Sequence, residues 1–382
     1  MVKRTRRRRI LAPFTALPLL GLLAAAPAAA QFTPFEAAIA EFDAEVARGV
    51  AEDAAGCVSV AVFIADQVIW SKGYGWADIE NTVACTAETI GRTGSISKSF
   101  TAVLMMQLAE RGLFQLDDPV VDYFPEIANL ADPPADSRPI TFRMLASHTA
   151  GLVREPELEG AASGSIYRWE EKVLESIAHT SFKTPPGTEY SYSNIGFGIL
   201  GLASSRAVNV PFMTLVEEQI FRPLAMTSSA FIVNTPELAA RLSVGYRRNR
   251  ETGEVSAERA TREHFGRGYK VPNGGIYSTV GDLAKFAAAM MGTSPVRILS
   301  AASRAEIFTP QAPAESYGLG FAIAEEDGVT VVGHGGSVAG YNAELRFDLD
   351  SKIGVAVLRT AGYKPPTGEL LARLIATRSV RR

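Results

Sequence analysis

The sequence predicts an α+β fold: an antiparallel β-sheet flanked by N- and C-terminal helices, with a helical insertion. Three observations carry this. Strand-like runs lie near both ends of the chain, a helical block separates them, and helical patterns bracket the strands. The 382 residues carry 47% hydrophobic side chains, enough for one large domain.

Residues 1–30 are set aside first. Lys3, Arg4 and Arg6 to Arg9 precede an apolar stretch from Ile10 to Ala26, and Ala28-Ala29-Ala30 forms an A-x-A cleavage pattern. This reads as a secretory signal peptide, general secretory rather than twin-arginine, and implies a secreted or periplasmic protein. Residues 31–382 are then one domain. Removing six basic residues from a formal charge of −3 leaves −9, a balance unsuited to nucleic acid. No later run is apolar and long enough to span a bilayer, so no stable membrane span is expected after cleavage.

Thr33 and Glu36 form a capping box with Pro34 at the first helical position, and Phe35, Ile39, Phe42 and Val46 follow at helical spacing. Val58 to Ile64 and Val68 to Trp76 read as a hairpin turning at Ala65-Asp66-Gln67. A helix is expected from Ser95, with Phe100, Val103, Leu104, Gln107 and Leu108 on one stripe and Arg111-Gly112 as its stop.

The insertion spans roughly 117–213. Within it Thr141 caps a short helix stopping near Gly151. Trp169, Val173 and Ile177 mark a second helix, and Ile195 to Ala207 a third. Ser278-Thr279 caps a further helix with Leu283, Phe286, Ala287 and Met290. The strands resume at Tyr317 to Ala324, Val329 to His334, Ala343 to Asp348 and Gly354 to Arg359. Glu369 to Thr377 is the closing helix. Cys57 and Cys85 are placed so that export permits a disulfide, and the sequence leaves their pairing open. The four histidines lie far apart, and no metal or other cofactor is expected.

One stretch carries chemistry. Ser95 and Lys98 sit one turn apart at a helix start, where unpaired backbone N–H groups make the terminus positive. A serine hydroxyl is a weak nucleophile until a base takes its proton, and an amine of depressed pKa can be that base. Alone, S-x-x-K is a frequent chance pattern. Two further stretches bear on it. Tyr192-Ser193-Asn194 taken alone is a helix N-cap by Asn194 with Tyr192 in the core. His334-Gly335-Gly336-Ser337 taken alone is a bend beside an exposed histidine, although paired glycines on a strand also admit a ligand to the backbone.

Together, in this order, the three resemble the motifs of the serine β-lactamase and penicillin-binding-protein superfamily, in its class C and esterase-like branch. Tyr74 to Asp78, Leu145 to Leu152 and Asn273 to Thr279 share the resemblance, which runs over nearly all of residues 31–382. The stretches Glu80 to Cys85 and Ser278 to Phe286 are most similar to a mitochondrial β-lactamase-like serine peptidase and its bacterial relatives. The resemblance implies a β-lactamase/transpeptidase-like fold, with catalytic residues Ser95 as acylated nucleophile, Lys98 as base and Tyr192 as proton shuttle. It further implies Asn194 as a substrate-orienting amide, the Ser95 and Ser337 N–H groups as oxyanion hole, and His334, Gly335 and Gly336 beside the substrate. His148 reads as a pin for the site wall and Tyr190 as packing.

His334 stands where relatives carry the lysine of a K-T-G motif. An imidazole of ordinary pKa near 6.5 is mostly neutral at pH 7, which favours esterase or peptidase activity on a small molecule or peptide over a dedicated β-lactamase. The competing reading is a penicillin-binding sensor that acylates without turnover. Oligomeric state is left open.

Overall fold

The computed structural model describes residues 33–379 except Ala54, Asp136, Arg250, Asp327, Gly328 and Ala361. The expected signal peptide lies outside the described residues.

Helix α1 (Pro34–Asp53) opens on the capping box: Thr33 Oγ1 accepts from the Glu36 N–H at 3.3 Å while Glu36 accepts from the Thr33 N–H at 2.8 Å. Strands β1 (Cys57–Ile64), β2 (Gln67–Asp78) and β3 (Val83–Ala84) follow. Late in the chain come β4 (Ala322–Glu326), β5 (Val329–Val338), β6 (Tyr341–Asp348) and β7 (Ile353–Arg359). They make one seven-stranded sheet in the order β3-β2-β1-β7-β6-β5-β4. The N-terminal hairpin joins the C-terminal strands through β1 and β7, antiparallel from Val58↔Arg359 to Ile64↔Ile353.

Strand alternation explains how the sheet is covered on both faces. Val58, Val60 and Val62 pack with Val355 and Val357 against Phe42, Val46 and Val50 of α1 and against Leu370, Leu371 and Leu374 of the closing helix (Thr367–Ser379). The intervening Ala61, Phe63, Ala356 and Leu358 belong to the larger core beneath the helical block. With both faces occupied, β1 is buried from Cys57 to Phe63 and apolar but for Ser59, rather than alternating.

Helix α2 (Ser97–Glu110) runs through the middle of that larger core, and every residue from Ser97 to Leu108 is buried. Each large apolar side chain such as Phe100 or Leu104 contributes roughly 1.5–3 kcal/mol there. A helix wrapped on all sides is a rigid mount for whatever its N-terminus carries.

The structure moves several expected boundaries. The α-helix begins at Ser97, and Gly94–Ile96 form a 3₁₀ turn ahead of it, with Gly94 at φ 52°. The helix capped by Thr141 ends at Ala146, because His148 takes φ 60° and turns the chain toward the site. Tyr317 to Phe321 is not strand. The Gly318 N–H bonds the Phe321 carbonyl at 2.9 Å and Gly320 lies at φ 72°, a local turn instead of a ladder. The strand expected to end at His334 continues through both glycines to Val338. Cys57 and Cys85 form a disulfide, with Cα atoms 5.4 Å apart.

Candidate active site

The turn bearing Ser95 is clipped from two sides. The Thr93 N–H donates to the Ile276 carbonyl at 3.0 Å, and the Ile276 N–H donates to Ser97 Oγ at 3.2 Å. On the other side β5 lies directly on the turn. A Cβ added to Gly336 would stand 1.9 Å from the Thr93 carbonyl oxygen and 3.1 Å from the Ser95 nitrogen; one added to Gly94 would stand 2.7 Å from the Ser337 nitrogen. Two backbones approach this closely only because both positions are glycine. The contact brings the Ser95 and Ser337 nitrogens to one place at the edge of the cleft.

Lys98 lies behind Ser95, with no exposed surface. Its Nζ is 2.9 Å from Ser95 Oγ, 2.8 Å from Asn194 Oδ1 and 3.3 Å from the Asn273 carbonyl oxygen. Burial, reinforced by the charges of Arg154, Arg267 and Lys270, holds its pKa well below the usual lysine range, against an opposing contribution from Glu155. A neutral amine has two N–H bonds and one lone pair. The two carbonyl oxygens can only accept, so they take the two N–H groups and leave the lone pair facing the serine hydroxyl.

Helix α3 (Asn194–Val208) supplies the opposite wall. Its N-cap is Ser193, whose hydroxyl accepts from the Gly196 N–H at 3.0 Å, and not Asn194. That frees the Asn194 amide, both ends of which are engaged: Oδ1 with Lys98, and Nδ2 donating to Glu155 at 2.6 Å. Tyr192 covers the amine, with its ring centroid 4.7 Å from Lys98 Nζ and 4.8 Å from the Arg154 guanidinium. Burial pushes the Tyr192 phenol up to about 12, outweighing its hydrogen bond with Ser95, so it is a protonated donor at neutral pH. His148 pins this wall, as its stretch suggested. Its Nδ1 accepts from the Ser193 N–H at 3.0 Å, and its ring lies 4.1 Å from that of Tyr192. Tyr190 packs 5.9 Å from His148 and 5.8 Å from Tyr317, with part of its ring exposed.

His334 is buried, and both ring nitrogens are used. Nδ1 is 2.5 Å from the Gly335 carbonyl and Nε2 is 2.9 Å from the Tyr317 hydroxyl. Since a carbonyl only accepts, Nδ1 carries the hydrogen and Nε2 accepts from Tyr317. Burial, aided by the Lys98 charge, pushes the imidazole down to about 3. No fixed positive charge stands at this position.

Ser95, Tyr192, Arg154 and Gly335 to Ser337 line an open cleft of about 350 Å³. A larger groove of about 1180 Å³, lined by Tyr246 and Glu254 among others, shares Ser337 and Asn342 with it. Every expected site residue is therefore either in this cleft or directly behind it. Sequence reading missed Arg154, Glu155, Asn273 and Tyr317. Arg154-Glu155 follow the Leu145 to Leu152 stretch after one residue, and Asn273 heads the Asn273 to Thr279 stretch, so nearness to those segments was the available signal. Among the described residues no three His, Cys, Asp or Glu side chains converge as metal ligands. Nor is any single described helix long and apolar enough to cross a membrane.

A family model described as Beta-lactamase matches residues 42–378, and the chain belongs to this family. Among curated relatives, Beta-lactamase-like protein 2 of Dictyostelium discoideum is 27% identical over 341 residues, covering 85% of this chain and 60% of that protein. The D-alanyl-D-alanine-carboxypeptidase/endopeptidase AmpH of Escherichia coli (strain K12) is 30% identical over 217 residues, 56% of this chain and 52% of that protein. The chain thus spans between about half and three-fifths of the length of these two relatives. The octameric penicillin-binding protein homologue from Pyrococcus abyssi superposes with a TM-score of 0.73 at 25% identity, over 88% of this chain and 77% of that one. The resemblance read from the three motifs holds at the level of family and fold.

Proposed function

We propose that the protein is an exported serine hydrolase that cleaves an ester or amide bond through an acyl-enzyme on Ser95. The observation that carries this is the buried Lys98 amine, 2.9 Å from Ser95 Oγ with both its N–H groups committed to carbonyl oxygens. Lys98 takes the hydroxyl proton as Oγ attacks the carbonyl carbon. The developing oxyanion is met by the N–H groups of Ser95 and Ser337, fixed donors that need no reorganisation. Tyr192 delivers a proton to the departing alkoxide or amine as the acyl bond breaks. The Lys98 proton then passes to the Tyr192 phenolate, and in the second half the same pair takes a proton from water as it attacks the acyl carbon and gives it to Ser95 Oγ as the acyl–Oγ bond breaks, releasing the acid and restoring Ser95.

The neutral His334 favours ester or peptide substrates over a dedicated β-lactamase, since no permanent cation waits for a substrate carboxylate at that place. The groove continuing beyond Ser337 leaves room for an extended substrate. AmpH, by its name, is a carboxypeptidase and endopeptidase, which supports keeping D-alanyl peptides beside esters as candidates.

The test is labelling of the mature protein with a fluorophosphonate and with a labelled penicillin, beside Ser95→Ala, followed by turnover of p-nitrophenyl esters, nitrocefin and D-alanyl peptides. Label on the wild type that is absent from Ser95→Ala, with ester or peptide turnover, is expected. No label from either reagent, or label that survives Ser95→Ala, would refute the proposal. A slowly released penicillin label without turnover would establish a sensor instead.

A further inference from the structure

We propose that Glu155 is a positioning residue for Lys98: it fixes which end of the Asn194 amide faces the lysine, and so aims the amine lone pair at Ser95. This deepens the acyl-enzyme reading above and rests on it.

The geometry is a chain of obligate donors and acceptors. A Glu155 carboxylate oxygen, which accepts, lies 2.6 Å from the Asn194 amide. The amide nitrogen must therefore face Glu155, and Oδ1 faces Lys98 at 2.8 Å. Were the amide turned over, Oδ1 would meet the carboxylate, and an amide N–H would claim the lone pair of a neutral Lys98. The serine would then lose its base without any residue leaving the site. The Asn194 backbone is held on both sides. Its carbonyl accepts from Asn273 Nδ2 at 2.8 Å and its N–H donates to the Arg154 carbonyl at 2.8 Å. What remains is side-chain rotation, and Glu155 decides which end of the amide faces Lys98.

Glu155 is itself held from the far side, by Lys270 Nζ at 2.9 Å and by the Tyr269 hydroxyl. Lys270 and Tyr269 both donate to it and leave the Asn194 side as the acceptor. The groups that face Lys98 are Ser95, Tyr192 and Asn194, the Arg154-Glu155 pair, Arg267 and Lys270, and the neutral imidazoles of His148 and His334. Among them Glu155 contributes negative charge, which favours the lysine's charged form.

The experiment measures the rate of fluorophosphonate attachment to Ser95 by intact mass across pH, for wild type, Glu155→Ala, Glu155→Gln and the double variant Glu155→Gln/Lys270→Met. Glu155→Ala removes the acceptor, and the bond-forming rate is expected to fall about 10- to 100-fold, the worth of a charged hydrogen bond. In Glu155→Gln the Tyr269 hydroxyl can turn to accept from the new amide, but one carbonyl oxygen must serve both Asn194 and Lys270, which only donate, so the rate falls as well, and the acid limb moves to lower pH as the negative charge is lost. Removing Lys270 in the double variant frees that oxygen for Asn194, and the rate recovers to within roughly three-fold of wild type. A purely structural role predicts a double variant worse than the single one.

An unchanged Glu155→Ala rate, a loss that lies only in probe affinity, or a double variant no better than Glu155→Gln would overturn the proposal. The Gln variants are near-isosteric, so the comparison survives if Glu155→Ala does not fold. A wild type that takes no label at Ser95 removes the hydrolase reading itself, a different failure.

Discussion

Replacing Gly336 by alanine puts the contact between β5 and the Ser95 turn to a direct test. The new methyl carbon would lie 1.9 Å from the Thr93 carbonyl oxygen, whereas ordinary contact begins at 3.4 Å. The obstructing atom is backbone, held by the hydrogen bonds to Ile276, and cannot swing aside. The strand must therefore retreat by roughly 1.5 Å, carrying the Ser337 N–H away from the Ser95 N–H. Losing one oxyanion donor costs about 10²- to 10³-fold, close to 3–4 kcal/mol of barrier. Overpacking lowers stability by about 1–3 kcal/mol, so the variant remains folded. Gly335 is the control for stability, because a methyl there meets nothing nearer than the Ala343 carbonyl at 4.0 Å; its melting temperature should match wild type. Stopped-flow burst kinetics with a p-nitrophenyl ester, run beside thermal melting, gives both quantities. A Gly336→Ala protein that acylates at the wild-type rate would refute the idea that this close approach builds the oxyanion site.

Two other expectations follow from the same framework. Tyr192→Phe keeps the ring over Lys98 but removes the proton donor; release of the acyl group should slow by about 10²- to 10⁴-fold, so mass spectrometry should find acylated enzyme accumulating, and turnover without accumulation would count against the shuttle. Replacing both Cys57 and Cys85 by serine opens a link between residues 28 apart in sequence; urea unfolding should show a loss of about 3–4 kcal/mol on the chain-entropy account, and a change under about 0.5 kcal/mol would mean that β1 and the segment leading to Gly91 need no such tie.

What the sequence made legible was local. Ser95 and Lys98 are three residues apart, and a helical or 3₁₀ start puts such a pair side by side wherever it falls. The strand runs at both chain ends, the capping box at Thr33 and the threonine caps also depend on neighbours in sequence, and they were read nearly in place. What was hidden depends on distant parts of the chain. Nothing in Arg154-Glu155 announces that α3 will start against them, yet the Arg154 carbonyl receives the Asn194 and Ile195 N–H groups. Asn194 looked like a helix cap because Asn caps helices well. Ser193 takes that task, so the amide is released for Lys98. The Tyr317 to Phe321 run alternates like a strand, but its glycines serve a turn that delivers the Tyr317 hydroxyl to His334. The glycines after His334 looked like a break, and instead keep β5 in the sheet while admitting the Ser95 turn.

The central claim is that a neutral Lys98 activates Ser95, and the pH dependence of Ser95 acylation in the wild type tests it most directly. The lysine's ordinary value is 10.5, and burial lowers it far below that. The amine is the active base above its folded-state pKa, so the rate is full above that value and is lost as pH falls through it. The expected result is a plateau reached well below the ordinary lysine value of 10.5, lowered by about 10²- to 10⁴-fold in Lys98→Met. A rate that keeps climbing about ten-fold per pH unit until near the ordinary lysine value would contradict it.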